Sequence, residues 1–420
     1  MLVQFKVRNW RSIRDEQSLI MLQAKSDELT ETNTFMTAGP SSTNLLRSVV
    51  IFGANAAGKT NVIRSIAAMK ALVLESDDRT DGVFSEPFML DSDTSESPSE
   101  FEVVFIISDV KYVYGFTSDS TRFHDEWLIA YPNGRAQKWF LREWNKTTEE
   151  YEWDFGSALI GHKKVWQDAT RDDSLFLSTA VKLNSKQLKP IHDWFKSTLR
   201  VASINGFTES YSAKLCTNEK TKKEVLRFLK SADIDIDDIK VETEKFSVEH
   251  LPEAMPAEVK NQIVESVKDR EIYNISTLHK TADGTVVEFD FDDESNGTQK
   301  LFSFSGPWLD VLEKGHVLFI DELNDSLHPT IVKFLVQLFH SSITNPNNAQ
   351  LIFTTHETSI LDQGIFRRDQ IWFCEKDREQ STHLYPLTDF SPRKGRENIK
   401  EGYLTGRYGA LPFVKNYVFE

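Results

Sequence analysis

Residues 48–60 read SVVIFGANAAGKT, an apolar run followed by a glycine-bounded loop that ends in Lys59 and Thr60. The segment from Gly53 to Thr60 fits the phosphate-binding pattern GxxxxGK[ST], and a helical pattern begins at Lys59. The run before the loop is apolar on both faces, as a central parallel strand requires. Glycines allow the backbone to curl so that its N–H groups and the helix N-terminus surround phosphate oxygens. The stretch therefore predicts an α/β core with a nucleotide-binding loop.

The polar residues of this loop have distinct expected tasks. We expect Lys59 to place its ammonium on the β and γ phosphates and Thr60 to ligate Mg²⁺ through its hydroxyl. Asn61 is expected to continue the helix under the nucleotide. The nucleotide-binding residues predicted here are Gly53, Asn55, Ala56, Ala57, Gly58, Lys59, Thr60 and Asn61.

A second apolar strand, Val317 to Ile320, ends in two carboxylates, Asp321 and Glu322. Carboxylates at the C-terminal edge of a buried parallel strand are placed to face a nucleotide. We expect Asp321 to hold Mg²⁺ through water and Glu322 to polarise the attacking water. A strand that ends in two acidic residues is common and by itself indicates no function. It supports a nucleotide site here because the same chain contains the phosphate-binding pattern at 53–60.

His356 follows another apolar strand, in the segment LIFTTH. A lone histidine is more often structural. At the C-terminal end of a core strand, beside the same carboxylates, it becomes a candidate γ-phosphate sensor. We therefore predict His356 as the second catalytic residue beside Glu322.

Composition indicates a soluble, cytoplasmic protein without membrane contact. Of its 420 residues 40% are hydrophobic and 27% are charged, and no apolar run approaches the roughly 20 residues that cross a bilayer. The N-terminal MLVQFKVRNWRSIRDE alternates like a strand, so we expect it to belong to the fold and not to a cleaved leader. The two cysteines, Cys216 and Cys374, have no spacing typical of a disulfide framework or a zinc site.

The remaining pattern divides the chain into three parts. Alternating segments such as FEVVFII and KYVYGFT predict an antiparallel sheet flanking a first lobe at residues 1–155. Residues 75–100 are acidic and poor in apolar residues, so we expect a mobile surface loop there. A helical pattern marks an inserted subdomain at 156–270, and a second α/β lobe follows at 271–420. The predicted fold class is α/β with a mixed sheet.

In their order along the chain these motifs resemble those of ABC-class ATPases, in particular the heads of SMC and RecF proteins. The resemblance rests on the loop at 53–60, ESNGTQ at 294–299, VLFIDE at 317–322, NDSLH at 324–328 and TTH at 354–356. It implies ATP as the nucleotide and a head-to-tail homodimer or higher homo-oligomer. Ser295 and Gly297 would bind the γ-phosphate held by the second subunit. Asn296 and Thr298 depart from the LSGGQ signature, which favours slow hydrolysis with ATP binding as a switch.

Two further segments narrow the resemblance. NWRSI at 9–13 is similar to a segment of SMC and RecF heads whose arginine approaches the phosphates, which implies that role for Arg11. With LTGRYGALP at 404–412, the motifs resemble bacterial abortive-infection ATPases of the RloA type. That resemblance implies anti-phage defence with a separately encoded effector protein, a nuclease or toxin.

Three functions compete on these observations. The first is an ATP-driven sensor or scaffold that controls the effector. The second is a RecF-like DNA-repair ATPase that holds duplex DNA with the basic residues between Lys182 and Lys230, where solvated helix faces are the plainer interpretation. The formal net charge of −15 opposes nucleic-acid binding over the whole surface but leaves a local basic groove open. The third, a small-molecule kinase or transporter subunit, is disfavoured by NWRSI and the large insert.

Overall fold

The computed structural model describes residues 1–78, 82–202, 206–247, 255–256, 259–260, 271–392 and 397–412. The chain forms two compact units. The first contains residues 1–204, 311–324 and 335–420, and the second contains residues 205–310 and 325–334. None of the helices in the described ranges combines the length and the apolar run needed to cross a membrane.

The regular elements are numbered in chain order. The strands are β1 (Leu2–Arg8), β2 (Gln17–Ile20), β3 (Thr34–Met36), β4 (Asn44–Leu46), β5 (Ser48–Phe52), β6 (Ser99–Ile107), β7 (Val110–Ser118), β8 (Phe123–Tyr131), β9 (Gln137–Asn145), β10 (Glu150–Phe155), β11 (Leu199–Val201), β12 (Asp238–Lys245), β13 (Glu271–Lys280), β14 (Val286–Asp290), β15 (Val317–Ile320), β16 (Gln350–Thr354), β17 (Ile371–Lys376) and β18 (Thr382–Pro386). The helices are α1 (Thr30–Asn33), α2 (Lys59–Glu75), α3 (Ser92–Ser95), α4 (Lys163–Ala169), α5 (Phe176–Lys182), α6 (Lys189–Asp193), α7 (Glu209–Cys216), α8 (Glu219–Ser231), α9 (Asn296–Lys314), α10 (Pro329–His340) and α11 (Ile399–Leu404).

The sheet that carries the nucleotide-binding loop has six strands in the order β11-β15-β16-β5-β17-β18. The first five run parallel, and β18 is antiparallel to β17. All of β5 is buried, as its continuous apolar run predicts for a strand covered on both faces. Parallel strands bring their carboxyl ends to one edge, so the segments that follow β5, β15 and β16 meet there.

A second sheet of the first unit has seven strands in the order β10-β9-β8-β7-β6-β1-β2. Strands β6 to β10 form an antiparallel meander, and β1 pairs with both β2 and β6. More deeply and less deeply buried residues alternate along β6, as in a sheet with one face on a core. The predicted α/β fold with a mixed sheet and an antiparallel flanking sheet is confirmed.

Helix α2 carries the nucleotide-binding loop into the hydrophobic core. Its residues Val62, Ile66, Met69 and Val73 recur every three or four positions and are buried. This period places one face of α2 in the core. Burial of each such side chain contributes about 1.5–3 kcal/mol, so the start of α2 is held firmly under the loop.

The acidic stretch at 75–100 differs from the expected loose loop in the part that the structure describes. Val83 and Phe88 are buried, and the buried Asn9 side chain binds the backbone around them. Its amide donates to the carbonyl oxygens of Thr94 at 2.7 Å and Ser97 at 2.8 Å, and its Oδ1 accepts from the N–H of Phe88 at 2.9 Å. Two apolar anchors and one buried amide thus hold a segment whose average composition is polar. Residues 79–81 of the expected loop lie outside the described residues.

The second unit contains the antiparallel sheet β12-β13-β14, helices α7 and α8, and the N-terminal part of α9. Val225, Phe228 and Leu229 of α8 are buried, on the face that the sequence indicates. The boundaries expected at residues 155 and 270 do not coincide with the two units. Helices α4 to α6 pack into the core of the first unit, through residues such as Trp166 and Phe176. Residues 248–254, 257–258 and 261–270 of the expected insert lie outside the described residues.

Candidate functional site

The loop between β5 and α2 requires glycine at two positions, one for its backbone conformation and both for the space beside them. Gly58 has φ of +108°, and a Cβ there would lie 2.1 Å from Oγ1 of Thr382. A Cβ on Gly53 would lie 2.3 Å from the carbonyl oxygen of Cys374. Ala56 also has a positive φ, of 62°. The loop therefore curls as a phosphate-binding loop must, with its first and last glycines pressed against β17 and β18.

The Lys59 ammonium spans this loop. The residue is 5% exposed, and Nζ donates to the carbonyl oxygens of Gly53 at 2.9 Å and Ala54 at 3.0 Å. Burial lowers the pKa of Lys59 below its ordinary value. Among the described residues the hydrogen-bond partners of this ammonium are neutral carbonyl groups, which compensate a buried cation incompletely, so an anionic phosphate is a fitting partner.

Asp321 is fixed at both of its carboxylate oxygens. Thr60 Oγ1 donates to Oδ2 at 2.7 Å, and Thr354 Oγ1 donates to Oδ1 at 2.5 Å. A hydroxyl and a carboxylate at this distance are the hard oxygen ligands that Mg²⁺ prefers, and this ion usually takes one or two protein groups with phosphates and water. Within the described ranges no group of three His, Cys, Asp or Glu residues could hold a metal ion. The donor set at Thr60 and Asp321 thus fits a magnesium ion shared with a nucleotide.

Glu322 and His356 lie together at the same edge of the sheet. His356 Nε2 is 3.3 Å from Glu322 Oε1, and both residues are accessible to solvent. Glu322 has φ of +50°, and its N–H donates to Thr354 Oγ1 at 2.8 Å. The Thr354 hydroxyl therefore donates to the Asp321 carboxylate and accepts from the N–H of Glu322. The predicted pair Glu322 and His356 is in contact, and Thr354, which joins β15 to β16, was not predicted.

Asn324 begins the segment NDSLH and is tied to the end of β16. Its Oδ1 accepts from Thr355 Oγ1 at 2.8 Å and from the N–H of His356 at 3.3 Å. The first residue of this segment therefore helps to position the histidine. A TT pair directly before a histidine, in LIFTTH, is the sequence signal that could have pointed to Thr354 and Thr355.

Arg11 is engaged by an acidic residue of the segment before β6. Its guanidinium donates to both carboxylate oxygens of Glu86, at 2.6 and 2.8 Å, and its N–H donates to the carbonyl oxygen of Glu86 at 2.7 Å. Its neighbour Ser12 accepts a bond from Nδ2 of Asn61 at 2.7 Å, so the NWRSI turn lies against the start of α2. The phosphate contact implied for Arg11 stays a prediction. It requires the Arg11 guanidinium to leave the Glu86 carboxylate and bind phosphate instead.

The other predicted loop residues differ in exposure. Asn55 and Ala56 are exposed, whereas Ala57 is buried. The carbonyl oxygen of Ala57 accepts from Thr382 Oγ1 at 3.0 Å. The exposed tip and the buried base of the loop are thus distinct, and Thr382 at the base was not predicted from the sequence.

Ser295 and Gly297 lie in the second unit, at the start of α9. Ser295 is exposed, and its Oγ accepts from the N–H of Thr298 at 3.2 Å as a helix cap. Gln299 donates to the carbonyl oxygens of three preceding residues and so fixes this turn. A Cβ on Gly297 would meet Ser326 O at 3.4 Å and Ser295 Oγ at 3.8 Å, both ordinary distances. Packing within the described part of this unit therefore does not require a glycine at 297.

The sequence and the fold were compared with known proteins. The family described as "AAA domain, putative AbiEii toxin, Type IV TA system" matches residues 48–362, which is 315 of the 420 residues. No curated protein matches the chain. A solved SMC head bound to the C-winged helix domain of ScpA is similar at a TM-score of 0.40 and 13% identity, over 92% of this chain and 97% of that one. A structure of the recombination mediator protein RecF with ATP is similar at a TM-score of 0.32 and 16% identity, over 86% of this chain and 94% of that one.

Proposed function

This chain belongs to that AAA-domain family, and we propose that it binds ATP at the loop 53–60 and hydrolyses it slowly. The observation that supports this most directly is the meeting of Thr60, Asp321 and Thr354 in one hydrogen-bonded group beside the curled loop. Thr60 lies in α2, Asp321 follows β15 and Thr354 ends β16, and the parallel order of the sheet brings the three residues together.

The proposed chemistry assigns one task to each group. Lys59 and the loop N–H groups bind the phosphate oxygens, and Thr60 and Asp321 hold Mg²⁺, which when bound neutralises phosphate charge. Glu322 accepts a proton from the attacking water, since its carboxylate is accessible to solvent and lies beside His356. His356, positioned by Asn324, donates from Nε2 toward the γ-phosphate or toward Glu322.

We propose that two copies of the chain close head to tail over ATP. Ser295 and Gly297 of one copy would then contact the phosphate held by the other. Two observations support this assignment. Ser295 is exposed, and the glycine at 297 has no role in packing within the described part of its own unit.

The experiment that tests this function measures the mass of the purified Glu322→Gln protein by light scattering, with and without Mg-ATP. We expect ATP to bind and the mass to double, because loss of the general base stops hydrolysis and leaves the closed state populated. Lys59→Ala should abolish ATP binding and dimerisation. Lys70→Ala is the matched control, because Lys70 is a half-buried lysine of the same helix and its Nζ donates instead to Leu199 O at 2.7 Å. Wild-type ATP turnover in both Lys59→Ala and Glu322→Gln would refute the assignment.

We further propose that ATP binding controls a separately encoded effector, a nuclease or toxin, in cytoplasmic anti-phage defence. The family description, which names an AbiEii toxin and a toxin–antitoxin system, supports this context. Cells that carry the chain with its neighbouring genes should restrict phage, and Lys59→Ala should remove that restriction. Degradation of DNA or RNA by the purified chain alone would overturn the separate effector.

A RecF-like DNA-binding ATPase is the second candidate. Lys220, Lys223 and Arg227 are exposed at the spacing of one face of α8, without an ion pair among the described residues. Several other basic residues of the 182–230 segment are paired with carboxylates, as Lys182 is with Asp77 and Asp78 and Lys189 is with Asp193. Binding of duplex DNA that requires ATP and weakens steeply with salt would favour this candidate. Its absence at low salt would remove it.

A further inference from the structure

A chain of three hydrogen bonds runs beneath the phosphate-binding loop. Asn61 Nδ2 is 2.7 Å from Ser12 Oγ, Ser12 Oγ is 2.8 Å from Thr382 Oγ1, and Thr382 Oγ1 is 3.0 Å from the carbonyl oxygen of Ala57. It connects the NWRSI turn, the start of α2 and the start of β18. Thr382 is fully buried, and its N–H donates to the carbonyl oxygen of Ser12 at 2.6 Å.

The direction of every bond in this chain is determined by its two ends. The Asn61 amide nitrogen can only donate, and the Ala57 carbonyl oxygen can only accept. Thr382 has one hydroxyl proton and must give it to Ala57, so it accepts the proton of Ser12. Ser12 in turn accepts from Asn61. All three bonds therefore point the same way, toward the peptide group that joins Ala57 to Gly58.

This peptide group is part of the phosphate-binding loop. Hydrogen bonds that point the same way polarise one another, and a bond to a carbonyl oxygen strengthens the N–H of the same peptide as a donor. That N–H belongs to Gly58, which precedes the first residue of α2. Thr382 also occupies the space that the missing side chain of Gly58 leaves, since a Cβ there would overlap its hydroxyl. Thr382 thus fixes both the conformation and the polarity of this amide.

We infer that Ser12 and Thr382 are positioning residues for the nucleotide, which aim and strengthen the Gly58 N–H toward the bound phosphates. The inference rests on the proposed ATP binding. Neither residue touches the nucleotide in this role. Their effect passes through the Ala57–Gly58 peptide, and it acts on phosphate binding in the ground state and the transition state alike.

Thr382→Val tests the inference because valine keeps the shape of threonine and removes the hydroxyl. We expect KM for ATP and Kd for Mg-ADP to rise about fivefold, with kcat changed less than twofold, since uniform phosphate binding is lost. Thr382→Ser retains the hydroxyl and should restore wild-type values. Thr179→Val is the matched control, because the buried Thr179 hydroxyl has no hydrogen-bond partner among the described residues.

Ser12→Ala supplies a second route should Thr382→Val fold poorly. It should raise KM for ATP in the same way. The double variant Ser12→Ala, Thr382→Val should bind ATP no more weakly than the weaker-binding of the two single variants, because both substitutions break the same chain of hydrogen bonds. Wild-type affinity in Thr382→Val and Ser12→Ala, or equal weakness of Thr382→Ser and Thr382→Val, would overturn the inference while ATP binding stood. Failure of the wild-type chain to bind ATP would overturn both.

Discussion

Glu322 carries backbone strain at the point where chemistry is expected. Its φ of +50° is a conformation that costs a residue with a side chain about 1–2 kcal/mol. The bond from its N–H to Thr354 helps to maintain that conformation. Strain of this kind persists where the surroundings determine it, and here the result is a carboxylate directed away from the strand and toward His356.

Glu86 is the residue whose change should reveal the task of Arg11. The two side chains form a bidentate pair that is 28% and 34% exposed, so the pair itself contributes at most about 1 kcal/mol. Glu86→Gln removes the charge that competes with phosphate. If Arg11 contacts phosphate, the Kd for ATP should fall about two- to fivefold, and Arg11→Ala should raise it. Isothermal titration measures both.

The control for this change is a second ion pair near the N-terminus. Arg8 pairs with Glu100 at 3.0 Å between strands β1 and β6. Glu100→Gln should leave the Kd for ATP unchanged. Equal affinities for wild type, Glu86→Gln and Arg11→Ala would show that Arg11 has no contact with phosphate.

Among the elements, those with strong local patterns could be predicted from the sequence. The strand before Gly53 and the start of the helix at Lys59 lie where the sequence predicts them, because apolar run, loop motif and helical period all agree. The segment 82–98 could not be predicted, since its order comes from Asn9, which is about 80 positions away in sequence. Thr382 was missed for a similar reason. A threonine at the start of a strand has no local signal, and its partners Ser12 and Ala57 are distant in sequence.

Asn9 should be critical for the segment 82–98. Asn9→Ala removes the hydrogen bonds that the buried Asn9 side chain makes with the backbone of Phe88, Thr94 and Ser97, so the free energy of unfolding should fall by about 2–4 kcal/mol. Because Asn9 has φ of +52°, part of that loss comes from alanine in a left-handed conformation. Asn9→Gly removes the same bonds without this strain and separates the two causes. Urea denaturation measures the free energy of unfolding. Faster amide hydrogen exchange confined to residues 82–98 would show that the lost stability belongs to this segment. Unchanged exchange there would contradict the role.

At the scale of the whole molecule, the proposed catalytic groups and the proposed signature residues lie in different compact units. The first unit holds the loop, Asp321, Glu322 and His356, and the second holds Ser295 and Gly297. In the proposed head-to-tail arrangement, the two sets that serve one nucleotide belong to two copies of the chain. A single chain then binds ATP, and hydrolysis depends on assembly.

Gly297→Ala separates monomer stability from assembly. Gly297 lies within α9, so alanine should stabilise the helix by up to about 1 kcal/mol, and its Cβ meets no described atom closer than 3.4 Å. The nucleotide-free variant should therefore melt at or slightly above the wild-type temperature. In the Glu322→Gln background the added methyl should block the close backbone approach to the other copy's phosphate and abolish the ATP-dependent rise in mass. A variant that assembles normally would exclude Gly297 from the interface, and a less stable monomer would assign the glycine to folding instead.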